Sequence, residues 1–261
     1  MLDIQETLNA ELKKIVEWLK ANKLSLNIAK THFMIFQPKK KNCSANIEIH
    51  IDDSPIQRIR ECKFLGIIID ENLSWRSHIA YLKKKLAKSL GILNKARQSL
   101  GRPSLLSLYN SMFLPYISYC IIIWGCASDT VLLPVLKLQK RAIRYIFNLP
   151  ARASTSNVFH EHNILKLNDL FRYQLGVFMY KYHKKLLPNV FNNFFTYNNS
   201  VHSYYTRQSN HLHPPKVKSE RTKSFVKYAG CVIWNNILQS INIHVKIPCF
   251  KKKLKLFCQN T

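Results

Sequence analysis

Adjacent carboxylates are the groups in this chain that could hold metal ions for phosphoryl chemistry, because two-metal catalysis clamps the attacking and leaving oxygens between acid-ligated cations. The sequence offers two such pairs, Asp52-Asp53 and Asp70-Glu71. Asp52-Asp53 sits in IEIHIDDSPIQRI, where Asp and Ser before Pro read as turn chemistry. Asp70-Glu71 ends the apolar run KFLGIIID. Zinc needs ligands at close, repeated spacing, and the nearest candidates are His160 with His162, His211 with His213, and Cys249 with Cys258. These spacings form no knuckle. The seven cysteines include no C-x-x-C pair, which fits reduced thiols in a cytosolic or nuclear compartment. Lys plus Arg number 40 against 14 Asp plus Glu, a formal charge of +26. Such a field attracts polyanions. The imbalance is steepest at the end, where Glu220 is the one acidic residue after Asp169.

The elements that must carry these groups are legible from apolar spacing. Ile4, Leu8, Leu12, Ile15 and Leu19 make one face of a helix ending near Asn22, and Leu24–Leu26, Phe33–Phe36, Ile47–Ile51 and Phe64–Ile69 supply strands. The last reads as a buried strand with a close backbone approach at Gly66. Pro38 and Lys39 to Lys41 mark an exposed loop. After Trp75, the residues Ile79, Leu82, Leu86, Leu90 and Leu93 recur at helical steps, leaving Lys83, Lys84, Lys85, Lys88, Lys95 and Arg97 largely on other faces. Gly101-Arg102-Pro103 separates a second helix, and ISYCIIIW between Pro115 and Gly125 reads as the buried centre of a bundle. Ser128 or Asp129 caps a third helix with Leu132, Val135, Leu136, Ala142, Ile143 and Ile146 inside and Lys140, Arg141 and Arg144 outside. Asn168 is read as the cap of an aromatic-rich helix that stops at Pro188. Beyond it, Tyr197, Tyr204, Tyr205, Arg207 and Lys216 form either a stacking surface or a docked loop, and Phe225, Trp234, Ile237, Phe250, Leu254 and Phe257 suggest two closing helices. The longest apolar run, Tyr119 to Gly125 with its flanks, is far shorter than a bilayer span, and no signal peptide is expected.

Several strings together bring a family into view. KFLG followed by D-x-x-LSW-x-x-HI, from Lys63 to Ile79, resembles the palm-to-thumb junction in reverse transcriptases of non-LTR retrotransposons, especially the jockey-like group. Upstream, LKKIVEWLKANKLSLNIAKTHFMIF is similar to the segment after the catalytic hairpin, with Asn27, Lys30 and Thr31 matching an N-x-x-KT motif. Downstream, LYNSMFLPYISYCIIIWG and LQKRAIRYIFNL are similar to the thumb, and HSYYTRQSN, SFVKYAGCVIWNNI and FKKKLKLF to the ends of such reading frames.

The resemblance implies an α+β fold in three parts: a partial palm with a small antiparallel sheet, a helix and a primer-grip hairpin at the KFLG turn (1–71), a thumb-like helical bundle (72–149) and a basic helical C-terminal region (150–261). It implies that a full-length parent is an RNA-directed DNA polymerase using Mg2+ on carboxylates of an early strand and a YADD hairpin just before the helix of Trp18. Met1, Leu2 and Asp3 alone occupy that region. Asp52-Asp53 falls after N-x-x-KT and before KFLG, where relatives carry a β-turn. No catalytic residue, metal or cofactor is therefore expected in this chain. Lys30 is implied to lie near an incoming nucleotide and Lys63-Phe64-Leu65-Gly66 to support a primer end, with Lys83, Lys84, Lys85, Lys88, Lys95, Arg97, Lys140, Arg141 and Arg144 on duplex phosphates. Expected partners are RNA, DNA or an RNA–DNA hybrid, held mainly by the backbone, and the missing polymerase half. No membrane is expected; the location is nuclear or cytoplasmic. Residues 1–71 alone should be poorly soluble. A domesticated nucleic-acid-binding protein and a non-functional genomic remnant remain alternatives.

Overall fold

The computed structural model describes residues 2–37, 47–51, 54–201 and 207–260. Pro38, Lys39 to Lys41, Cys43, Asp52, Asp53, Tyr204 and Tyr205 lie outside them. The architecture is α+β, with two compact units, residues 1–78 and 79–261. The sequence division placed borders after residues 71 and 149. The second of these is bridged by packing, as described below.

In the first unit, α1 (Leu2–Ala21) stops where Lys23 adopts a left-handed φ of 56°, with Lys23 N–H donating to Lys20 O and Leu24 N–H to Leu19 O. This paired closure is the usual glycine-type helix stop made by a lysine. Val16 and Leu12 pack with Ile47, Ile49, Ile51, Ile56 and Phe33. Side chains of the helix also hold the facing backbone: Gln5 Oε1 accepts from Glu48 N and Asn9 Oδ1 from His50 N.

Three two-stranded pairings complete this unit. β1 (His32–Phe33) pairs in parallel with β4 (Gln57–Arg58), while β2 (His50–Ile51) is antiparallel to β3 (Ser54–Pro55) and β5 (Glu61–Phe64) to β6 (Ile67–Asp70). The single antiparallel sheet expected from sequence is thus divided, and one pairing is parallel. Leu24–Leu26 forms no strand: it is confined between the helix stop and the turn begun by Asn27. The run Phe64–Ile69 is not one buried strand either. Leu65 (φ 45°) and Gly66 (φ 85°) make a two-residue hairpin turn with both central φ positive, so the chain reverses between Phe64 and Ile67. Ile67 is buried, whereas Phe64 and Leu65 stand at the exposed tip.

The second unit is built of helices. α2 (Arg76–Ala96), whose first turn belongs to the first unit, buries Leu82, Leu86, Leu90 and Leu93 as the spacing predicts. Gly101 begins α3 (Arg102–Leu108) with Pro103 in its first turn; a π-helical turn at Tyr109–Phe113 leads to α4 (Leu114–Ser118). Cys120, at φ 50°, then breaks the apolar run before α5 (Ile121–Trp124). The break turns Ile117, Ile121 and Trp124 inward and leaves Tyr119 and Ile123 exposed, so ISYCIIIW is buried on one side only. α6 (Asp129–Ile146) buries Leu132, Val135, Ala142, Ile143 and Ile146. Ser128 is its N-cap residue by position, but its hydroxyl bonds Thr130 Oγ1 rather than a backbone N–H.

α7 (Ser156–Glu161) precedes α8 (Leu167–His183), whose N-cap is Lys166; Asn168 lies inside the first turn, correcting the cap assignment. Burial of Leu167 and Leu170 sets the start, because the helix must already be wound where its inner face begins. α8 packs against α4, α5 and α6 on one side of the sequence and against α11 (Val226–Ser240) and α12 (Ile247–Asn260) on the other. The thumb-like helices and the C-terminal region therefore share one core. Short helices α9 (Asn198–Val201) and α10 (Glu220–Lys223) lie between. Trp234, Ile237, Phe250 and Leu254 are buried on the two closing helices, with Phe250 stacked on Tyr180 at 4.3 Å.

Candidate nucleic-acid interface

The N-x-x-KT segment closes on itself. Asn27 caps a 3-10 turn (Ile28–Lys30), its Oδ1 accepting from Lys30 N at 3.2 Å, and Thr31 Oγ1 donates to Asn27 O at 2.9 Å. This presents Lys30 at an exposed position. Lys63 pairs across the hairpin with Ile68, and Lys63, Phe64, Leu65 and Gly66 are all exposed around the tip.

Behind that tip, the D-x-x-LSW-x-x-H string has a clear physical role. Asp70 Oδ1 accepts from Asn72 N and Ser74 N, at 3.1 and 2.9 Å, and Oδ2 from Ser74 Oγ and Trp75 N, at 3.2 and 2.9 Å. These bonds hold a turn in which Leu73 (φ 50°) and Trp75 (φ 63°) are left-handed, a strained conformation for bulky residues. His78, buried, accepts from Ile68 N through Nδ1 at 3.3 Å and so locks β6 to the helix start. Burial lowers its pKa from the ordinary value to about 4. Glu71 Oε2 meets Arg58 Nη2 at 3.3 Å and accepts from Gln37 Nε2 at 3.4 Å.

A carboxylate has about four acceptor sites, and at Asp70 four protein donors meet them, so this side chain organises the turn; Glu71 has one oxygen engaged, by Arg58 and Gln37. Among the described residues no cluster of three His, Cys, Asp or Glu could hold a metal ion. Asp52-Asp53 lies outside the described residues.

In the second unit, Lys83, Lys84, Lys88 and Lys95 are exposed on α2 away from the buried leucine stripe, and Lys85 is half-buried with its ammonium 5.7 Å from the Tyr81 ring centroid. Among the described residues none of these lysines pairs with a carboxylate. Arg97 lies over the Tyr145 ring at 4.7 Å, and Arg141 approaches the same ring at 5.5 Å, donating from Nε to the Tyr145 hydroxyl at 2.8 Å. Arg144 is different: its Nε donates to Ala153 O at 2.9 Å, tying α6 to the following loop. Lys140 is half-buried on the same helix. The structure thus brings Arg97 and Arg141 together, while Lys30 and the 63–66 tip belong to the other unit. Tyr145 was missed by sequence reasoning; the i,i+4 spacing from Arg141 was the available signal.

A buried polar contact on α6 was also missed. Gln139 Nε2, at the heart of α6, donates to Tyr109 Oη at 3.0 Å and Leu165 O at 2.9 Å. Burial pushes the Tyr109 phenol up to about 12. It stays neutral and can accept that bond throughout the physiological range.

No family model and no solved structure matches the chain. Curated relatives do. The chain is 26% identical over 186 residues to the RNA-directed DNA polymerase from mobile element jockey of Drosophila funebris, covering 70% of this chain and 19% of that protein. It is 24% identical over 174 residues to the probable RNA-directed DNA polymerase from transposon X-element of Drosophila melanogaster, covering 65% of this chain and 18% of the other. A Pol polyprotein of the type-1 retrotransposable element R1 4 from Nasonia vitripennis is 28% identical over 151 residues, 50% of this chain and 38% of its own. The matched region therefore spans less than a fifth of the jockey and X-element polymerases. With the N-x-x-KT turn, the KFLG hairpin and the Asp70-organised LSW turn in place, the chain is similar to a part of the RNA-directed DNA polymerases of jockey-like and R1 non-LTR retrotransposons.

Proposed function

We propose that these 261 residues bind a template–primer duplex by its sugar-phosphate backbone and do not themselves extend the primer. The observation that carries the reading is the run of exposed lysines on α2, unopposed by carboxylates among the described residues and backed by a rigid buried leucine stripe. Cations held on a rigid helix face position a polyanion without reading its sequence. The KFLG tip and Lys30 are proposed contacts near the primer end and incoming nucleotide, by resemblance. Mg2+ chemistry belongs, on this reading, to a longer polymerase that contains this segment. The carboxylates of Asp70 and Glu71 are committed to a turn and an ion pair.

The test is binding of purified protein to a labelled RNA–DNA template–primer across a salt series, with dNTPs and Mg2+ in a parallel reaction. With about six phosphate contacts, affinity should fall roughly a thousandfold between about 50 and 200 mM salt. Replacing Lys83, Lys84, Lys85 and Lys88 with glutamine should flatten that dependence. Primer extension by the wild-type chain would overturn the non-catalytic half of the proposal, and absence of binding at low salt would overturn the rest.

A further inference from the structure

Three guanidiniums are held on two aromatic rings where α2 and α6 end, and the lysine face does not account for them. Arg97 and Arg141 both lie on Tyr145. Two residues further, Phe147 carries Arg102 over its ring at 5.1 Å, with the His162 ring tilted against it at 4.3 Å. The segment after α2 and the end of α6 thus meet through two successive rungs, Arg97 on Tyr145 and Arg102 on Phe147. The Arg144 bond to Ala153 O ties the end of α6 to the loop that follows it.

Arg97, Arg102 and Arg141 are exposed, and among the described residues none is paired with a carboxylate. A guanidinium laid on a ring keeps N–H groups available along its edge, and its planar fork matches two phosphate oxygens. Stacking also removes rotamer freedom before any ligand arrives. Two cations at one ring repel each other, and an anion beside them relieves that repulsion. Successive rungs suit an anion that itself repeats. The geometry points to a clamp for the phosphodiester backbone of a nucleic-acid strand, formed by Arg97, Arg141 and Arg102 and oriented by Tyr145 and Phe147. This inference rests on the duplex-binding proposal and extends it to a second, pre-organised site.

The test compares binding of the full chain and its variants to a short DNA duplex across a salt series, with thermal unfolding of each variant. R97Q/R102Q/R141Q removes about three phosphate contacts, so between about 50 and 200 mM salt it should lose ~40-fold less affinity than the wild type does. R97K/R102K/R141K should keep the wild-type salt dependence while binding several-fold more weakly, because a lysine cannot make the bidentate contact. Should the glutamine triple lose its unfolding transition, R97Q/R141Q serves instead, removing about two of the phosphate interactions. An unchanged salt dependence in the glutamine variants overturns the clamp; if K83Q/K84Q/K88Q still flattens it, duplex binding stands without this site. Equal affinity of the lysine triple and the wild type also overturns it, since charge alone would then suffice. A wild type that binds no duplex at low salt overturns both.

Discussion

Asp70 shows how a residue that looks chemical from its neighbours can be structural. Its carboxylate accepts from three backbone amides and one hydroxyl and holds Trp75 in a left-handed conformation. Asp70→Asn keeps one accepting oxygen and places an amide donor against N–H or O–H donors on the other side. A loss of about 2 kcal/mol is expected, measured as a shift of the urea midpoint at constant slope; a change within error would mean the turn does not depend on the second oxygen. His78 gives a pH signature. Its folded pKa is lowered by burial to about 4, so the unfolded state binds a proton that the folded state refuses. The stabilising contribution is complete above the ordinary histidine value and declines as pH falls from there toward 4. Protonation would also place a hydrogen on Nδ1, against Ile68 N–H. Urea midpoints at mildly acidic and neutral pH should therefore differ more in the wild type than in H78Q.

Among the elements, α2 was legible as a whole. Its leucine stripe is a local pattern, and burial followed it residue by residue. The middle of the bundle was less so: a continuous apolar run carries no periodicity to choose a face, and the left-handed Cys120 makes the choice. The apolar run alone reads as one strand through Leu65-Gly66 for a related reason, since apolar content on both sides of the glycine hides the reversal; the turn there is implied by the family likeness instead. Two glycines separate intrinsic propensity from packing. Gly91 on α2 has open space where a Cβ would stand, so Gly91→Ala should stabilise by about 0.5–1 kcal/mol. At Gly125 a Cβ would lie 2.6 Å from Ile121 O and 2.7 Å from Phe171 Cδ2. Gly125→Ala should cost about 1–3 kcal/mol. Chemical denaturation of the two variants should move in opposite directions, and a shared sign would refute the packing argument.

For the whole molecule, the first unit carries apolar side chains at its surface, with Leu8, Ile15, Trp18, Leu24, Leu26 and Phe36 exposed. Produced alone, residues 1–78 should aggregate; a soluble monomer with cooperative unfolding would defeat that expectation. No described helix is long and apolar enough to cross a membrane. Charge, helical periodicity and the short strings around Asn27, Lys63 and Asp70 fixed the α+β class, the exposed lysine face and the family likeness, because each is a local property of consecutive residues. Tertiary structure alone decided the rest. Gln139 finds Tyr109 and Leu165, Arg97 finds Tyr145, and α8 joins helices expected in separate units. These partners stand far apart along the chain, and no periodicity encodes which distant group satisfies a buried amide or receives a guanidinium.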